Sequence, residues 1–280
     1  MNVLGAIADQ IAGGPTWECS HGHELHSVRV VPVELDGRHD RILDYPGVPH
    51  HLARRFEMAV WDWQPRWGIG GYCPQNDIVS ECIDTQGVWE GYGTNLALAL
   101  LADGGVFIDC GSQIGWYTAL AAASGCEVLS IDADPATQVP LHKTVEINGW
   151  SDRVRLCRAG IGPATPVVTA IPERVALMKV DIEGREDDAV RVFRHVLDVT
   201  DAVLMEMSPC FAGYYGDLAA SLCSRGFDAY LVPEKGTDLD AWAIDPLAAL
   251  VEHRLDPTTI RSAVNGWHQR DVLFARPGTI

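Results

Sequence analysis

The sequence predicts an α/β protein with a doubly wound, mostly parallel sheet. Two observations support this fold class: from residue 93 onward, apolar runs of strand length alternate with helical stretches, and several of these runs end in acidic residues. Short, continuous apolar runs are typical of strands that helices cover on both faces. We expect residues 1–85, which are rich in Trp, His and Pro, to form an N-terminal extension, and residues 86–280 to form the main domain.

Each element is predicted from its own pattern of apolar and turn-forming residues. In the main domain, helices are expected at 94–102, 115–124, 136–147, 186–196 and 215–225, and strands at 105–109, 127–132, 153–158, 175–181, 202–207, 227–232 and 271–276. No clear helix separates the last two strands, so we expect them to form an antiparallel edge pair. In the extension, the pattern predicts a hairpin of 27–35 with 38–43, a short helix at 52–63 and a strand at 78–83.

A glycine-rich turn follows the first strand of the main domain. The strand ends in Asp109, and Gly111, Gln113 and Gly115 follow before an uncharged, alanine-rich stretch. Glycine permits a tight turn and lets backbone approach a ligand closely. The spacing differs from the dinucleotide fingerprint, and an acid at the strand end repels phosphate but attracts a cation. S-adenosylmethionine, which carries a sulfonium and an ammonium group and no phosphate, suits this turn; a plain strand–turn–helix junction stays an alternative.

Two further strands of the main domain also end in acids. Asp132 lies 23 residues after Asp109, close to the ~20-residue offset at which an acid meets ribose hydroxyls in dinucleotide-binding folds. Strand 175–181 runs into Asp181 and Glu183. Because ligands bind at the carboxyl ends of parallel strands, these acids are expected to converge on one crevice that favours a cationic cofactor. For Asp132, a role in capping a loop is the alternative.

Residues 105–184 resemble the FkbM family of S-adenosylmethionine-dependent methyltransferases. The resemblance rests on Asp109–Gly115, Ile131–Pro135 and Lys179–Gly184, and it extends to Trp89-Glu90, Leu204-Met205-Glu206 and Asp271–Phe274. The chain departs from the family pattern at Ser112-Gln113, where the family has Ala-Asn, and at Asp132, where it has Glu. The resemblance implies a Rossmann-like fold of the class I methyltransferase type, S-adenosylmethionine as cofactor, and O-methylation of a small polyol, sugar or natural product.

The strand positions and the resemblance together assign roles to individual residues. Cofactor binding is expected from Glu90, Asp109, Gly111, Gln113, Gly115, Asp132, Ala133 and Asp181, whereas Asp181 and Glu183 are the expected catalytic residues because a hydroxyl nucleophile must lose its proton. Asp181 as an orienting group for the methionine moiety, and Glu90 as a helix cap, stay open. A nicotinamide-dependent oxidoreductase and a catalytically silent cofactor-binding protein are the alternative function classes.

The overall composition restricts the partners of the protein. A net charge of −17 and a pI near 4.8 disfavour nucleic acid and anionic membranes, so we expect a small-molecule or glycan acceptor. Scattered cysteines, the absence of a signal-like segment and the absence of a long apolar span favour a cytoplasmic protein, with a homodimer left open.

Two groups of side chains in the extension carry competing interpretations. We expect no metal, although the cluster Cys19–His26 has soft and imidazole ligands that can hold zinc or copper. The aromatic residues Trp61, Trp63, Trp67 and Tyr72 are interpreted either as core or as a platform for a sugar in a pocket that the extension covers.

Overall fold

The computed structural model describes residues 2–12, 28–34, 55–61, 78–209, 213–233, 245–265 and 269–280. The strands are β1 Val28–Glu34, β2 Arg55–Trp61, β3 Val106–Cys110, β4 Glu127–Asp132, β5 Val154–Arg158, β6 Val175–Val180, β7 Thr200–Met207, β8 Asp228–Leu231 and β9 Arg270–Ala275. The helices are α1 Val3–Ala12, α2 Ile78–Gln86, α3 Gly91–Leu100, α4 Trp116–Ala123, α5 Gln138–Ile147, α6 Glu186–Val192, α7 Tyr215–Ser224, α8 Pro246–Val251 and α9 Ile260–Asn265, with a 3-10 turn at Val196–Val199. Within these ranges no helix is both long enough and apolar enough to cross a bilayer.

Seven strands form one sheet in the order β5-β4-β3-β6-β7-β9-β8. The pairs β5–β4, β4–β3, β3–β6 and β6–β7 are parallel, whereas β9 runs antiparallel to both of its neighbours. The chain winds outward from β3 to β5, returns to the centre at β6 and then winds the other way. The carboxyl ends of β3 and β6 therefore form a topological switch point, where open α/β sheets bind their ligands. This confirms the predicted doubly wound, mostly parallel fold.

Helices cover the sheet on both faces. One apolar cluster combines Phe107 and Leu177 of the sheet with buried residues of α3, α4, α5 and α8. The other combines Ile108 and Met178 with buried residues of α1, α6, α7 and α9. Neighbouring residues of one strand thus point into different cores, which is why the central strands are mostly apolar on both faces.

The described parts of the extension pack against these same cores. Helix α1 places Leu4, Ile7 and Ile11 in the cluster beside β4 and β5. The antiparallel pair β1–β2 contributes Phe56 and Met58 to the opposite cluster, where β2 packs against α5. Apolar burial therefore joins the extension to both faces of the sheet.

The structure corrects three predictions in the extension. The partner of β1 is β2, at 55–61, and 38–43 lies outside the described residues. The predicted helix at 52–63 is wrong because Phe56, Met58 and Val60 alternate toward the core as a strand requires. The predicted strand at 78–83 is wrong because Val79 and Ile83, four residues apart, put one face of a helix into the core.

The C-terminal part is predicted correctly in one respect and incorrectly in another. Strands β8 and β9 do pair antiparallel. They also form the pair at one edge of the sheet, as predicted, but helices α8 and α9 lie between them in sequence. At the other end of the chain, helix α1 is not predicted from the sequence, although Leu4, Ile7, Ala8 and Ile11 have the spacing of an amphipathic helix.

The contact between β2 and α5 includes a buried hydrogen bond that mutation can remove. The backbone N–H of Ala59 donates to the hydroxyl of Thr144 at 2.9 Å, and Thr144 is fully buried. We expect Thr144→Val to lower the free energy of unfolding by about 1–3 kcal/mol, because the Ala59 N–H loses its partner. Urea denaturation tests this, with Thr85→Val, an exposed hydroxyl on α2, as the matched control; equal stability of the two variants would contradict it.

Candidate functional site

A cavity of about 910 Å³ opens at the carboxyl ends of the central strands. Every strand from β3 to β7 contributes a residue at or just beyond its end, as the switch-point rule predicts. The cavity is lined by Ile78, Val79, Trp89, Glu90, Asp109, Gly111, Ser112, Gln113, Trp116, Tyr117, Ile131, Asp132, Ala133, Asp134, Thr137, Ala159, Gly160, Ile161, Lys179, Asp181, Ile182, Glu183, Arg185, Glu206 and Gln269. All of the sequence-predicted site residues except Gly115 are in this lining.

The turn after β3 passes unusually close to the end of β6. Gly111 has a φ of +85°, and a Cβ at this position would lie 1.8 Å from the carbonyl oxygen of Asp181. The Asp181 N–H donates to the carbonyl of Cys110 at 2.9 Å, which holds the two segments together. Glycine is therefore required here by the protein's own backbone.

Gly115 has a related role one turn later. It precedes α4 with a φ of +88°, and an added Cβ would lie 2.2 Å from Cδ1 of Leu141 on α5. It does not line the cavity. The second glycine of the turn thus allows close packing between helices rather than contact at the cavity wall.

Asp109 is the buried acid at the end of β3. Its side chain is 1% exposed, and its Oδ2 accepts a hydrogen bond from Oγ1 of Thr118 at 2.7 Å. Burial raises the pKa of Asp109 to about 6, while the nearby Lys179 ammonium and the Thr118 hydrogen bond oppose the rise. The carboxylate is thus kept charged at neutral pH at a cost to the fold.

Asp132, at the end of β4, is held by three hydrogen bonds. Its Oδ2 accepts from the backbone N–H of Gln113 at 2.7 Å, and its Oδ1 accepts from the N–H of Asp134 at 2.8 Å and from Oγ1 of Thr137 at 3.1 Å. Burial raises its pKa, and these hydrogen bonds oppose the rise. A carboxylate has about four acceptor sites, so Asp132 fixes the turn and keeps capacity for a ligand hydroxyl.

Glu90 is the residue before α3, and it lines the cavity. The hydroxyl of Tyr117 donates to its Oε2 at 2.7 Å. Burial, and then the charge of Glu90, raise the pKa of Tyr117 well above its usual range, so the phenol stays a donor. Gly93 makes this contact possible, since a Cβ there would lie 2.4 Å from the Tyr117 oxygen.

The loop after β6 and the end of β7 bring three carboxylates together. The side-chain oxygens of Asp181, Glu183 and Glu206 lie within 4.8 Å of one another. Partial burial, and then the charges of Asp181 and Glu206, raise the pKa of Glu183. Such a group can receive a hard cation, but acidic side chains often cluster without one, and our expectation of no metal stays a prediction.

Buried Glu186 fixes the shape of this loop. Its Oε1 accepts from the N–H groups of Ile182 and Gly184, each at 3.2 Å. Its Oε2 accepts from the hydroxyls of Tyr215 at 2.5 Å and Tyr214 at 3.1 Å. The loop that carries Asp181 and Glu183 is therefore tied to the start of α7.

Left-handed backbone is concentrated in the cavity wall. In the described part of the chain, the non-glycine residues with positive φ are Glu90 (47°), Gln113 (49°) and Glu183 (53°), and all three line the cavity. Each such conformation costs of order 1 kcal/mol or more and persists only where surrounding structure enforces it. Strain of this kind is typical of functional sites.

The cavity is strongly anionic. Seven acidic side chains line it, against the two basic side chains of Lys179 and Arg185. This surplus attracts a cationic ligand and repels a phosphate. The convergence of acids that the sequence predicts is thus present in the structure.

Several lining residues were given no role from the sequence. Lys179 and Glu206 belong to the family motifs, but the sequence alone assigns them no role. Tyr117 and Arg185 follow shortly after the motif glycines Gly115 and Gly184. Among the residues expected in the extension, Trp61 is partly buried, packs against the core and does not line the cavity. The cluster Cys19–His26 and the residues Trp63, Trp67 and Tyr72 lie outside the described residues.

Comparison with known proteins gives only distant likenesses. No protein-family model matches the chain, and no curated protein matches it. Among solved structures, the METTL16 methyltransferase domain has a TM-score of 0.42 and 14% identity. The match covers 66% of this chain and 65% of that domain. The C-terminal domain of precorrin-6Y C5,15-methyltransferase from Rhodobacter capsulatus has a TM-score of 0.42 and 17% identity, covering 67% of this chain and 89% of that one. Magnesium protoporphyrin IX methyltransferase from Synechocystis, with bound SAM, has a TM-score of 0.42 and 13% identity, covering 73% and 86%. At this degree of similarity no activity transfers to this chain.

The close approach of Gly111 to Asp181 can be tested by a matched pair of glycine variants. Gly111 and Gly125 have almost the same φ, +85° and +87°, but a Cβ at Gly125 would meet nothing within 4 Å. We expect Gly125→Ala to cost about 1–2 kcal/mol, the price of a left-handed alanine, and Gly111→Ala to cost several kcal/mol more or to prevent folding. Chemical denaturation measures the difference, and similar losses in both variants would refute the contact.

The burial of Asp109 predicts a variant that gains stability. A pKa raised from 3.8 to about 6 means that the fold disfavours the charged form, so stability is lost as the pH rises through this range. We expect Asp109→Asn to be up to about 3 kcal/mol more stable than the wild type at pH 7.5, and equal to it below pH 4. Urea denaturation at both pH values tests this, with exposed Asp152→Asn as the control; a destabilised Asp109→Asn at pH 7.5 would show that the charge supports the fold.

Proposed function

We propose that this protein is an S-adenosylmethionine-dependent methyltransferase that methylates a hydroxyl group on a small polyol, a sugar or a natural product. The observation that carries the proposal is the anionic cavity at the switch point of the sheet, with seven acidic and two basic side chains in its wall. A ligand with a sulfonium and an ammonium group matches that charge, whereas the pyrophosphate of a nicotinamide cofactor does not.

The chemistry of the cavity wall fits this cofactor. Asp109 and Glu90 offer carboxylates for an ammonium group, and Asp132 offers acceptor capacity for ribose hydroxyls. The buried hydroxyl of Ser112 has no hydrogen-bond partner among the described residues, so it has capacity for a ligand. These groups come from β3 and the turn after it, from β4 and from the residue before α3.

Membership of the FkbM family is part of the proposal. Its support is that the motifs Asp109–Gly115, Ile131–Pro135 and Lys179–Gly184 all reach one cavity. The departures from the family pattern are compatible with it. Gln113 contacts Asp132 through its backbone N–H, which any residue can supply, and the short Asp132 side chain still spans to that N–H.

The two catalytic candidates have different surroundings. When bound, S-adenosylmethionine supplies a methyl group that is already activated by its sulfonium. The hydroxyl that attacks it needs a proton acceptor. Glu183 suits this role because partial burial and neighbouring acids raise its pKa. Asp181 instead forms an ion pair with Lys179 at 2.7 Å, which suits it to orienting a bound ligand.

The acceptor would bind beyond the strand ends, between the loop of Glu183 and helix α2. Ile78 and Val79 of α2 line the cavity, and Ile78 is 60% exposed, so the segment before residue 86 contributes an apolar wall. Trp89 adds an aromatic surface that suits the C–H face of a sugar. The net charge of −17 supports a small molecule or a glycan rather than a nucleic acid.

Calorimetric binding tests the proposal and the role of Asp132. We expect the protein to bind S-adenosylmethionine and S-adenosylhomocysteine but not NAD. Asp132→Ala should weaken S-adenosylhomocysteine by about 1.5–3 kcal/mol, or roughly 10- to 150-fold, because a charged acceptor of hydrogen bonds is lost. Exposed Asp152→Ala serves as the control. NAD binding without S-adenosylmethionine binding would overturn the function.

The acceptor class requires a separate experiment. Incubation with methyl-labelled S-adenosylmethionine and an extract of small molecules and glycans should label hydroxyl-bearing compounds. Treatment with alkali distinguishes the products, since a methyl ether keeps the label and a methyl ester releases it as methanol. Cofactor binding with label found only in alkali-labile esters would overturn the proposed hydroxyl acceptor and leave the cofactor assignment intact.

A further inference from the structure

Lys179 is a buried cation at the centre of the sheet. It stands in β6 directly beside Asp109 of β3 in the strand register, and its side chain is 9% exposed. Every other residue of β6 is apolar. Burying an ammonium group is costly unless carboxylates compensate for the lost water. The position therefore requires an explanation beyond packing.

The contacts of Lys179 link several parts of the cavity wall. Its Nζ lies 2.7 Å from Oδ2 of Asp181 and 4.9 Å from the ring centroid of Tyr117. The same Tyr117 donates its hydroxyl to Glu90. One ammonium thus connects β6, the loop after it, α4 and the residue before α3.

The charges around Lys179 depend on one another. Burial by itself lowers the pKa of Lys179, but the carboxylates of Asp181, Glu90 and Asp109 outweigh burial and raise it. In return, Lys179 is the strongest influence that opposes the raised pKa of Asp109. The acidic groups that interact with Lys179, Asp109 or Tyr117 from the surrounding elements include Glu90, Asp109, Asp132, Asp181, Glu183 and Asp271.

We propose that Lys179 is a positioning residue of the cofactor site, whose buried ammonium holds the carboxylates of Asp181, Asp109 and Glu90 together as one receptor for the α-ammonium group of S-adenosylmethionine. The inference rests on the proposed function. Lys179 itself carries the wrong charge to bind that ammonium group. Its role is to keep several carboxylates close together before the ligand arrives, so that binding needs no rearrangement.

Removal of the ammonium has a consequence that loss of packing alone does not have. Without Lys179 the buried carboxylates repel one another. At neutral pH one of these carboxylates then retains a proton. A cationic ligand must then displace that proton, so binding becomes coupled to proton release. In the wild type, Asp109, with a pKa of about 6, is almost fully ionised at pH 7.5, and little proton release is expected.

Calorimetry with S-adenosylmethionine in buffers of different ionisation enthalpy measures this coupling at pH 7.5. We expect the nearly isosteric Lys179→Met to release about half a proton or more in excess of the wild type. Its affinity should also rise with pH, by at most about tenfold per unit. Lys179→Arg keeps the charge and should restore the wild-type value. Lys143 is an exposed lysine on α5, and the control variant Lys143→Met should match the wild type. The ligand's own amino group also titrates, and subtracting the wild-type value removes this contribution from every variant.

The outcomes separate this inference from the proposed function. A wild type that does not bind S-adenosylmethionine overturns both. A wild type that binds, with a Lys179→Met variant of equal affinity and no added proton release, overturns only the role of Lys179. If Lys179→Met does not fold, the double variant Lys179→Met/Asp181→Asn removes both members of the ion pair. Extra proton release from Asp109 and Glu90 in that variant supports the inference, and wild-type behaviour overturns it.

Discussion

The candidate site depends on the contact between the turn after β3 and the end of β6. A Cβ on Gly111 would lie 1.8 Å from the Asp181 carbonyl oxygen, so the two central strands end against each other only because this residue is glycine. That contact sets the position of Asp181 relative to Asp109. It also aligns the peptide that leads to Gln113, whose N–H then reaches Asp132 on the next strand. The parallel strands bring the three acids to one edge of the sheet, and the glycine allows two of these strand ends to approach closely.

The same convergence stores free energy in the site. Asp109 is ionised in a setting that raises its pKa to about 6, and Glu90, Gln113 and Glu183 adopt left-handed backbone. The rest of the molecule supplies the stability that tolerates this, through two apolar cores on opposite faces of the sheet. A ligand with positive charge would relieve the repulsion. The charge of Asp109 thus favours binding of such a ligand but lowers the stability of the unliganded fold.

The sequence predicts the centre of the fold well and its periphery poorly, for a physical reason. Strands β3, β4 and β6 are buried on both faces, so their apolar runs are unambiguous. In segments 52–63 and 78–83, the apolar residues fit both the two-residue repeat of a strand and the spacing of a helix, so the sequence alone does not decide between them. Tertiary contacts decide for the first segment. Asn148, the residue after α5, accepts a hydrogen bond from the N–H of Glu57 and donates one to its carbonyl, so 55–61 lies extended beside that helix.

The site shows the same division between what a motif reveals and what only the fold reveals. Acids at strand ends are visible in the sequence because the rule that relates strand ends to ligands is general. The role proposed for Lys179 is not visible in the sequence. It depends on Asp109 of β3, which lies beside Lys179 in the strand register, and on Asp181, whose carboxylate lies 2.7 Å from the ammonium. Nor does the motif separate Asp181 from Glu183. The ion pair holds Asp181 in place, and the proposed function therefore gives the role of proton acceptor to Glu183, whose pKa is raised. The order of residues gives the two carboxylates the same status, and the position of one buried ammonium makes them different.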